Sequence, residues 1–306
     1  MYTKLLVPLD GSQAAEQVLP YARLLTNTFK KPVELIAVND VGEMLAYLSP
    51  SMTAAALDMV QKGRRESEIY LQEIAGTLGA DRVECTVQQG RAAEVILDRA
   101  ETDPAMMIAM ASHGRSGLNR WMLGSVAEKV LRGTTNPLLL VRAGEQPKAT
   151  GEASLKSVIV PLDGSALAES VLPSVAVMAK RLNLGLELFR AYDIPYSLYT
   201  YGQGYYAVDI AQYKTDVRTD VCKYLEGKAA EASALGIAKV SYVASEGLSA
   251  DEIIRFGRTT PESLIAMCSH GRSGLKRWAL GSVAETVARH SEKPMLILRP
   301  AVRQAA

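Results

Sequence analysis

The amino-acid sequence predicts an α/β protein built from two tandem domains, each with a five-stranded parallel sheet and helices on both faces. The first observation is length, because 306 residues exceed what a single hydrophobic core usually supports. The second is that apolar runs of strand length alternate with amphipathic helical patterns, which is typical of parallel sheets. The third is an internal repeat: 11 of 14 positions are identical between Val7–Pro20 and Val160–Pro173, and 16 of 20 between Ala111–Val130 and Cys268–Val287. The repeat indicates one copy of the fold in each half.

A short polar segment separates the two copies. Residues 143–154 have the sequence AGEQPKATGEAS, and such small, polar, turn-prone residues are typical of a linker. We therefore expect domains at residues 1–144 and 155–306, joined by a linker at 145–154.

Each copy begins with a buried strand that ends at a turn. The apolar runs Lys4–Leu9 and Ser157–Leu162 are both followed by Asp-Gly-Ser, at residues 10–12 and 163–165, and this pattern predicts a strand that stops at a turn. Apolar residues at helical spacing then predict a helix over 14–25 that packs on the sheet.

The two copies differ most after their second strands, predicted at Val33–Val38 and Leu186–Ala191. Residues 41–56 are rich in Met, Ala and Ser, whereas residues 192–213 contain seven tyrosines. Loops at this point of an α/β unit lie at the carboxyl edge of the sheet, where ligands bind. The tyrosine-rich segment is therefore either a ligand lid or a surface loop that faces a partner, and the sequence leaves both open.

The remaining elements follow in the same order in both halves. We predict long helices at 60–78 and 212–235, third strands at 82–87 and 239–244, fourth strands at 106–111 and 264–268, helices at 126–131 and 283–288, and closing strands at 137–142 and 294–299.

Composition excludes several classes of protein. With 34 basic and 33 acidic residues the net charge is +1, and the charges are interleaved, so we expect no nucleic-acid partner. The three cysteines are widely spaced and predict no disulfide framework, which suits a reducing compartment. No apolar run approaches the roughly 18 residues of a membrane helix, and the N-terminus lacks a signal-peptide core. We therefore expect a soluble cytoplasmic protein.

The most informative stretch is the signature segment, defined as residues 111–126 and its copy at 268–283. Each copy lies between an apolar run and a helical pattern, and each contains glycines. A glycine-bearing loop that leads into a helix can wrap an anion with its backbone N–H groups. Folding alone would hardly preserve loop residues such as His113-Gly114-Arg115-Ser116 in both copies, so we expect a phosphate-bearing ligand in each half.

Several side chains near this segment have two possible roles. Asp10 and Asp163 could bond a ribose hydroxyl or a phosphate-bound Mg²⁺, or could form an Asx turn with the next glycine. Ser125 could cap a helix or contact a phosphate oxygen. Arg115 could screen phosphate charge or simply be solvated. For His113, which lacks a partner at metal-ligand spacing, we expect hydrogen bonding or packing rather than catalysis.

Familiar catalytic motifs are absent from the sequence. There is no G-x-x-x-x-G-K-[ST] phosphate loop, no G-x-G-x-x-G dinucleotide fingerprint and no G-x-S-x-G nucleophile elbow. The sequence thus offers phosphate binding without an evident catalytic group.

Taken together, these motifs resemble the universal stress protein family in its tandem two-domain form. The resemblance covers nearly the whole chain. It rests on the VPLDGS opening at Val7–Ser12, repeated at Val160–Ser165, on the spacing G-x9-G-[S/T] at Gly114 and Gly124-Ser125 and its second copy, and on the closing strands PLLLVR and PMLILR. The family motif begins with a further glycine, where this chain has Ala111 and Cys268.

The resemblance implies Rossmann-like domains with an adenine nucleotide site in each. In the first half it implies contacts from Pro8, Leu9, Asp10, Val38, Met110, Ala111, His113, Gly114, Arg115, Gly124, Ser125 and Val126. In the second half the matching residues are Pro161, Leu162, Asp163, Ala191, Met267, Cys268, His270, Gly271, Arg272, Gly281, Ser282 and Val283.

The resemblance also implies a function. We expect a stress-response protein that binds ATP, ADP or AMP, with Mg²⁺ held by the phosphates, and that acts as a sensor or adaptor with little or no ATP hydrolysis. The protein partner is unknown, and the halves could pair as a pseudo-dimer within one chain, with a homodimer of two chains beyond that. One alternative is an interaction scaffold with degenerate sites, to which Ala111 and Cys268 point; another is a nucleotide-using enzyme such as a slow ATPase.

Overall fold

A computed structural model describes residues 2–40, 53–112, 123–142, 150–195, 209–269 and 280–299, without the side chains of 53–56. The chain divides into two compact units, Met1–Ser154 and Leu155–Ala306. These units are called the first half and the second half below, and each is described by itself.

The first half alternates strands and helices as expected. Its elements are β1 (Leu5–Pro8), α1 (Gln13–Glu16), α2 (Leu19–Phe29), β2 (Val33–Asn39), α3 (Thr53–Thr77), β3 (Val83–Gln89), α4 (Ala92–Glu101), β4 (Met107–Ala111), α5 (Ser125–Gly133) and β5 (Leu138–Val141).

The five strands of the first half form a parallel sheet in the order β3-β2-β1-β4-β5. Leu5 pairs with Val33 of β2 on one side and with Met107 of β4 on the other. The chain therefore extends the sheet in one direction through β2 and β3, and in the other through β4 and β5. The carboxyl ends of β1 and β4 meet at this change of direction, which is where open α/β sheets bind ligands.

The second half repeats this arrangement. Its elements are β6 (Ser157–Pro161), α6 (Ala166–Glu169), α7 (Leu172–Leu182), β7 (Gly185–Tyr192), α8 (Ile210–Ala234), β8 (Val240–Glu246), α9 (Ser249–Thr259), β9 (Ser263–Cys268), α10 (Ser282–His290) and β10 (Met295–Leu298). The strand order is β8-β7-β6-β9-β10, and every pair is parallel.

Burial along the strands explains why both faces of each sheet carry helices. In β1 the side chains of Leu5, Leu6 and Val7 are all fully buried, and all five residues of β4 are buried. Successive side chains of a strand point to opposite faces, so a strand without an exposed residue must be covered on both. The predicted fold class is confirmed.

The helix predicted over residues 14–25 is wrong as a single element. The chain forms two helices, α1 and α2, separated by Gln17 and Val18. Pro20 lies in the first turn of α2, and because proline has no N–H it cannot continue a helix that began at Gln13. Pro173 has the same place at the start of α7. The other predicted elements are present, with ends that differ by a few residues, except that α3 begins seven residues earlier than predicted.

Part of the predicted linker packs on the first half. The Arg23 guanidinium on α2 donates to the carbonyl of Gly151 (3.0 Å), and the Ala153 N–H donates to the carbonyl of Pro20 (3.0 Å). Residues 151–153 are thus held against α2, and the linker at 145–154 stays a prediction for the residues before them.

The helix caps divide into two kinds. Ser12 caps α1, because its hydroxyl accepts a hydrogen bond from the Ala15 N–H (3.1 Å), and Ser165 caps α6 in the same way. At α5 the cap residue is Gly124, and no side chain caps the helix in the part of the chain that the structure describes. The predicted capping role of Ser125 is wrong, because Ser125 is already the first helical residue and its side chain is exposed.

One buried carboxylate ties three elements of the first half together. Glu34 on β2 is 1% exposed and accepts two hydrogen bonds of 2.7 Å from the Arg99 guanidinium on α4. Lys4 donates to the same carboxylate at 3.2 Å. Burial by itself raises the pKa of Glu34, but the hydrogen bonds from Arg99 and Lys4 outweigh it and hold the pKa below its usual value.

The second half joins the corresponding strand and helix differently. Phe256 on α9 lies 157 residues after Arg99 (256 − 99), the same offset as between His113 and His270. Phe256 stacks on Phe189 of β7, with ring centroids 5.0 Å apart. The same junction is therefore ionic in one half and aromatic in the other.

We predict that Glu34→Gln lowers the free energy of urea unfolding by about 1–3 kcal/mol, because hydrogen bonds to charged groups contribute about that much. The contribution of Glu34 is present above the unfolded pKa and is lost as pH falls through the lowered folded pKa. The variant should therefore lose less stability than the wild type on acidification below about pH 4.5.

The matched control for Glu34 is Glu68→Gln. Glu68 pairs with Arg64 on the exposed face of α3, and exposed pairs of this kind are worth at most about 1 kcal/mol. A Glu34→Gln protein as stable as the Glu68→Gln protein would contradict the role assigned to the buried cluster.

The caps give a second prediction. Ser12→Ala should lower the unfolding free energy by about 1 kcal/mol, since it removes a side-chain cap, whereas Ser125→Ala should change it by less than about 0.5 kcal/mol. Thermal or urea unfolding of both proteins makes the comparison, and equal losses would show that Ser125 caps α5 after all.

Candidate functional site

A tight turn ends the first strand of each half. The Asp10 carboxylate accepts hydrogen bonds from the N–H (3.0 Å) and the hydroxyl (2.6 Å) of Ser12. Gly11 between them has φ +78°, a conformation that favours glycine. The second half has the same turn, with a 2.9 Å bond from the Ser165 N–H to the Asp163 carboxylate. The Asx-turn alternative is confirmed, and it leaves each aspartate on the rim of a cleft.

Two backbone hydrogen bonds place the start of α5 at the carboxyl ends of β4 and β5. The Gly124 N–H donates to the carbonyl of Ser112 (2.8 Å), and the Ser112 N–H donates to the carbonyl of Val141 at the end of β5 (2.7 Å). In the second half the Gly281 N–H donates to Ser269 at 2.8 Å. The amino terminus of a nine-residue helix thus lies at the carboxyl end of the fourth strand in both halves.

The first half contains a cleft of about 270 Å³ at this edge of the sheet. It lies at the carboxyl ends of β1 and β4, with α4 and α5 beside it. Its walls are Pro8, Leu9, Asp10, Ala15, Ile36, Val38, Ala92, Ile96, Met110, Ala111, Ser112, Gly124, Ser125, Val126 and Ala127. The structure thus brings together nine of the residues that the sequence assigned to a ligand, from Pro8 at the end of β1 to Val126 on α5.

The second half contains a larger cleft of about 600 Å³ in the corresponding place. Its walls include the nine assigned residues Pro161, Leu162, Asp163, Ala191, Met267, Cys268, Gly281, Ser282 and Val283. The volume falls within the range of ordinary small-molecule sites, about 300–1,000 Å³.

The remaining assigned residues lie outside the described residues. These are His113, Gly114, Arg115, His270, Gly271 and Arg272. Most of the tyrosine-rich segment, residues 196–208, also falls there, so the question of a ligand lid stays open.

Sequence reasoning missed the apolar floor of both clefts. Ile36, Ala92 and Ile96 line the first cleft, and Phe189 and Ile253 line the second. Their periodicity indicated only core positions. The available signal was their place in the element. Ile36 and Phe189 lie in the second strand of each half, opposite the last residue of the first strand, and the others lie in the first turns of the helix that follows the third strand.

Sequence reasoning also missed three polar residues of the second cleft, Arg190, Tyr192 and Asp193. Arg190 lies over the ring of Tyr224 on α8, with its guanidinium carbon 4.6 Å from the ring centroid. Arg190 lies near the end of the predicted second strand, Leu186–Ala191, and Asp193 follows that strand. Because ligands bind at the carboxyl ends of parallel strands, this position could have indicated both residues.

A tyrosine–glutamate pair lies behind each cleft. The Tyr70 hydroxyl donates to Glu16 at 3.0 Å, and the Tyr224 hydroxyl donates to Glu169 at 2.7 Å. Burial raises the pKa of Tyr224, as does the hydrogen bond to Glu169. Burial opposes ionisation of Glu169, yet hydrogen bonds from Tyr224 and Lys228 lower its pKa. In the second half, therefore, the Tyr224 hydroxyl keeps its proton and the Glu169 carboxylate keeps its negative charge.

The described ranges contain neither a candidate metal site nor a candidate membrane span. No group of three or more His, Cys, Asp and Glu side chains among them is placed to hold a metal ion. No helix among them is long and apolar enough to cross a bilayer.

The known proteins that resemble this chain include several universal stress proteins. A universal stress protein from Mycolicibacterium smegmatis is 21% identical over 303 residues, 97% of both chains. A universal stress protein from Methanocaldococcus jannaschii is 27% identical over 142 residues, which is 46% of this chain and 83% of that protein. The crystal structure of a universal stress protein from Archaeoglobus fulgidus covers 98% of this chain and 100% of its own, with a TM-score of 0.70 and 21% identity.

The family model of the universal stress proteins matches this chain twice. The matched residues are 1–142 and 154–299, so one match falls on each half and together they span nearly the whole sequence. The chain is a tandem two-domain member of the universal stress protein family.

Proposed function

We propose that this protein binds an adenine nucleotide in each half and acts as a cytoplasmic stress sensor or adaptor that hydrolyses little or no ATP. The observation that carries the proposal is the coincidence of two features. Nine of the residues that the family resemblance assigns to a nucleotide line one cleft in each half, and each cleft meets a helix amino terminus that no described side chain caps.

The uncapped helix supports a phosphate at one end of the cleft. The first N–H groups of a helix have no partner within it, and the helix dipole favours an anion there by about 0.3–1 kcal/mol, up to about 2 when partly buried. Gly124 and Ser125 lie at this point in the first half, with Gly281 and Ser282 in the second. The dipole alone is too weak for tight binding, so the ligand also needs a buried base.

The apolar part of the cleft supports that base. Pro8, Val38 and Met110 line it between the ends of β1, β2 and β4. A planar heterocycle placed there would remove apolar surface from water, which contributes about 25 cal/mol per Å². Asp10 also lines the cleft, and we assign its carboxylate to a hydrogen bond from a ribose hydroxyl.

The side chains that line the first cleft support binding more than catalysis. Asp10 is the one titratable group among those described, and it already accepts two hydrogen bonds from Ser12. We assign the remaining acceptor capacity of this carboxylate to a ribose hydroxyl rather than to the attacking water, which a general base must reach. Any Mg²⁺ would be held by the phosphates, and hydrolysis would be slow. The pseudo-dimer of the two halves, the homodimer and the protein partner stay predictions.

A scaffold with degenerate sites is the competing function. Ala111 and Cys268 replace a glycine of the family motif, and both line their clefts. A Cβ at this point takes up space that a glycine leaves to the ligand. The scaffold predicts no uptake of nucleotide by either half.

The test substitutes the cap glycines. Gly124 has φ −62° and ψ 149°, and Gly281 has φ −63° and ψ 143°, so any residue can adopt either backbone. Aspartate is a good N-cap residue and should preserve the helix, but its charge should repel a phosphate. We predict that calorimetric titration with Mg-ATP gives two sites per wild-type chain. Gly124→Asp and Gly281→Asp should each weaken one site by at least about tenfold.

The matched controls are Gly124→Asn and Gly281→Asn, which keep the size and the cap but not the charge. The asparagine variants should bind Mg-ATP more tightly than the aspartate variants do. A wild-type chain that gives no binding heat at millimolar Mg-ATP would refute the proposal and favour the scaffold.

A further inference from the structure

The second cleft is lined by two charged residues that have no counterpart in the wall of the first, the cation Arg190 and the carboxylate Asp193. Pro8 pairs with Ile36 in the first half and Pro161 with Phe189 in the second, so the next residues, Ala37 and Arg190, occupy the same place. Ala37 is buried and does not line the first cleft, whereas Arg190 lines the second. The second cleft therefore carries a positive charge that its counterpart lacks.

The position of the Arg190 guanidinium is fixed by two neighbours. It stacks on the Tyr224 ring at 4.6 Å, a favourable arrangement for a cation. It also lies over Gly164 in the turn after β6, where an added Cβ would come within 3.2 Å of Nη1 and 3.3 Å of Nη2. The guanidinium is thus held beside Asp163, at the level of the proposed ribose.

Within the described part of the chain, Arg190 makes no hydrogen bond and no ion pair. The nearby carboxylate of Glu169 is already bonded to Tyr224 and Lys228, and Asp163 accepts from the Ser165 N–H. A half-buried guanidinium has five donors that favour the oxygens of a phosphate or carboxylate. Its place in a cleft wall makes a ligand the natural source of those oxygens.

We propose that the second-half cleft takes an adenine nucleotide that carries an additional phosphate on its ribose, and that Arg190 binds this phosphate. The inference rests on the proposed function. A general rule of dinucleotide-binding folds supports the inference. In these folds a carboxylate accepts a hydrogen bond from a free ribose hydroxyl, and a nearby arginine accommodates a ribose phosphate. In the first half Asp10 has no such arginine beside it at position 37, so that cleft selects an unmodified ribose.

The larger cleft is consistent with a bulkier ligand. Its volume is about 600 Å³ against about 270 Å³. The α8 helix contributes Val217 and Val221 to the wall of the second cleft, whereas α3 contributes no described residue to the wall of the first. Tyr224, on which Arg190 stacks, belongs to the same α8 helix.

The experiment is calorimetric titration of the full chain with three probes: AMP, adenosine 2′,5′-bisphosphate and adenosine 3′,5′-bisphosphate. We predict that AMP fills two sites, and that one of the bisphosphates binds a single site about ten- to a hundredfold more tightly than AMP, as expected for new hydrogen bonds to a charged group. Arg190→Ala should abolish this preference and leave AMP binding at both sites.

The control is Arg181→Ala, which removes an exposed arginine of α7 outside the cleft and should retain the preference. Arg190→Gln keeps the length of the side chain in case Arg190→Ala also loses AMP binding at one site. If both Arg190 variants lose AMP along with the bisphosphate, Arg190 is structural and the inference is wrong.

The outcomes separate the two proposals. A wild-type chain that binds AMP at two sites without preferring either bisphosphate, or whose preference survives Arg190→Ala, overturns the role of Arg190 and leaves the proposed function intact. A chain that binds none of the three probes overturns both.

Discussion

Each cleft depends on the hydrogen bond from a serine N–H to the aspartate that ends the first strand. The bond closes a turn around a glycine with positive φ, Gly11 or Gly164. The turn ends the first strand, while the neighbouring second strand continues. Through the serine cap, the turn also begins the next helix. One short sequence, Asp-Gly-Ser, therefore ends a strand, opens a cleft and begins a helix.

Much of the fold followed from the sequence because the strands are buried on both faces. An apolar run such as Leu5–Pro8 is typical of a strand at the centre of a parallel sheet. Because of the internal repeat, each such pattern occurs twice in the sequence. Element ends were less certain, because they depend on local contacts. The break before Leu19 comes from Pro20, whose missing N–H ends one helix while its ring fits the first turn of the next.

The parts of the candidate site that depend on backbone conformation could be predicted from the sequence. The parts that depend on single side chains were harder to predict. Gly124 and Asp10 belong to repeated motifs, so the sequence assigned them to a ligand. Arg190 belongs to no motif, and its significance appears only when the fold places it beside Gly164 and Tyr224. The cap at Ser125 failed for a related reason, since a shift of one residue moves a side chain from the cap into the helix.

The two halves keep the backbone of the site and vary what surrounds it. The Glu34–Arg99 pair corresponds to an aromatic contact of Phe256, and Ala37 corresponds to Arg190. Such changes leave strand order and cleft position untouched, because those depend on the sheet and on the turns. A tandem chain can in this way hold two related ligands of different charge, and occupancy of one site need not follow that of the other.

The central claim is that both clefts of one chain hold an adenine nucleotide. Native mass spectrometry of the intact chain, mixed with increasing Mg-ATP, counts bound molecules directly. We expect a species with one nucleotide and then a species with two, and a smaller share of the species with two in Gly124→Asp or Gly281→Asp at concentrations that just saturate the wild type. A chain whose mass stays that of the bare polypeptide at millimolar Mg-ATP would contradict the account.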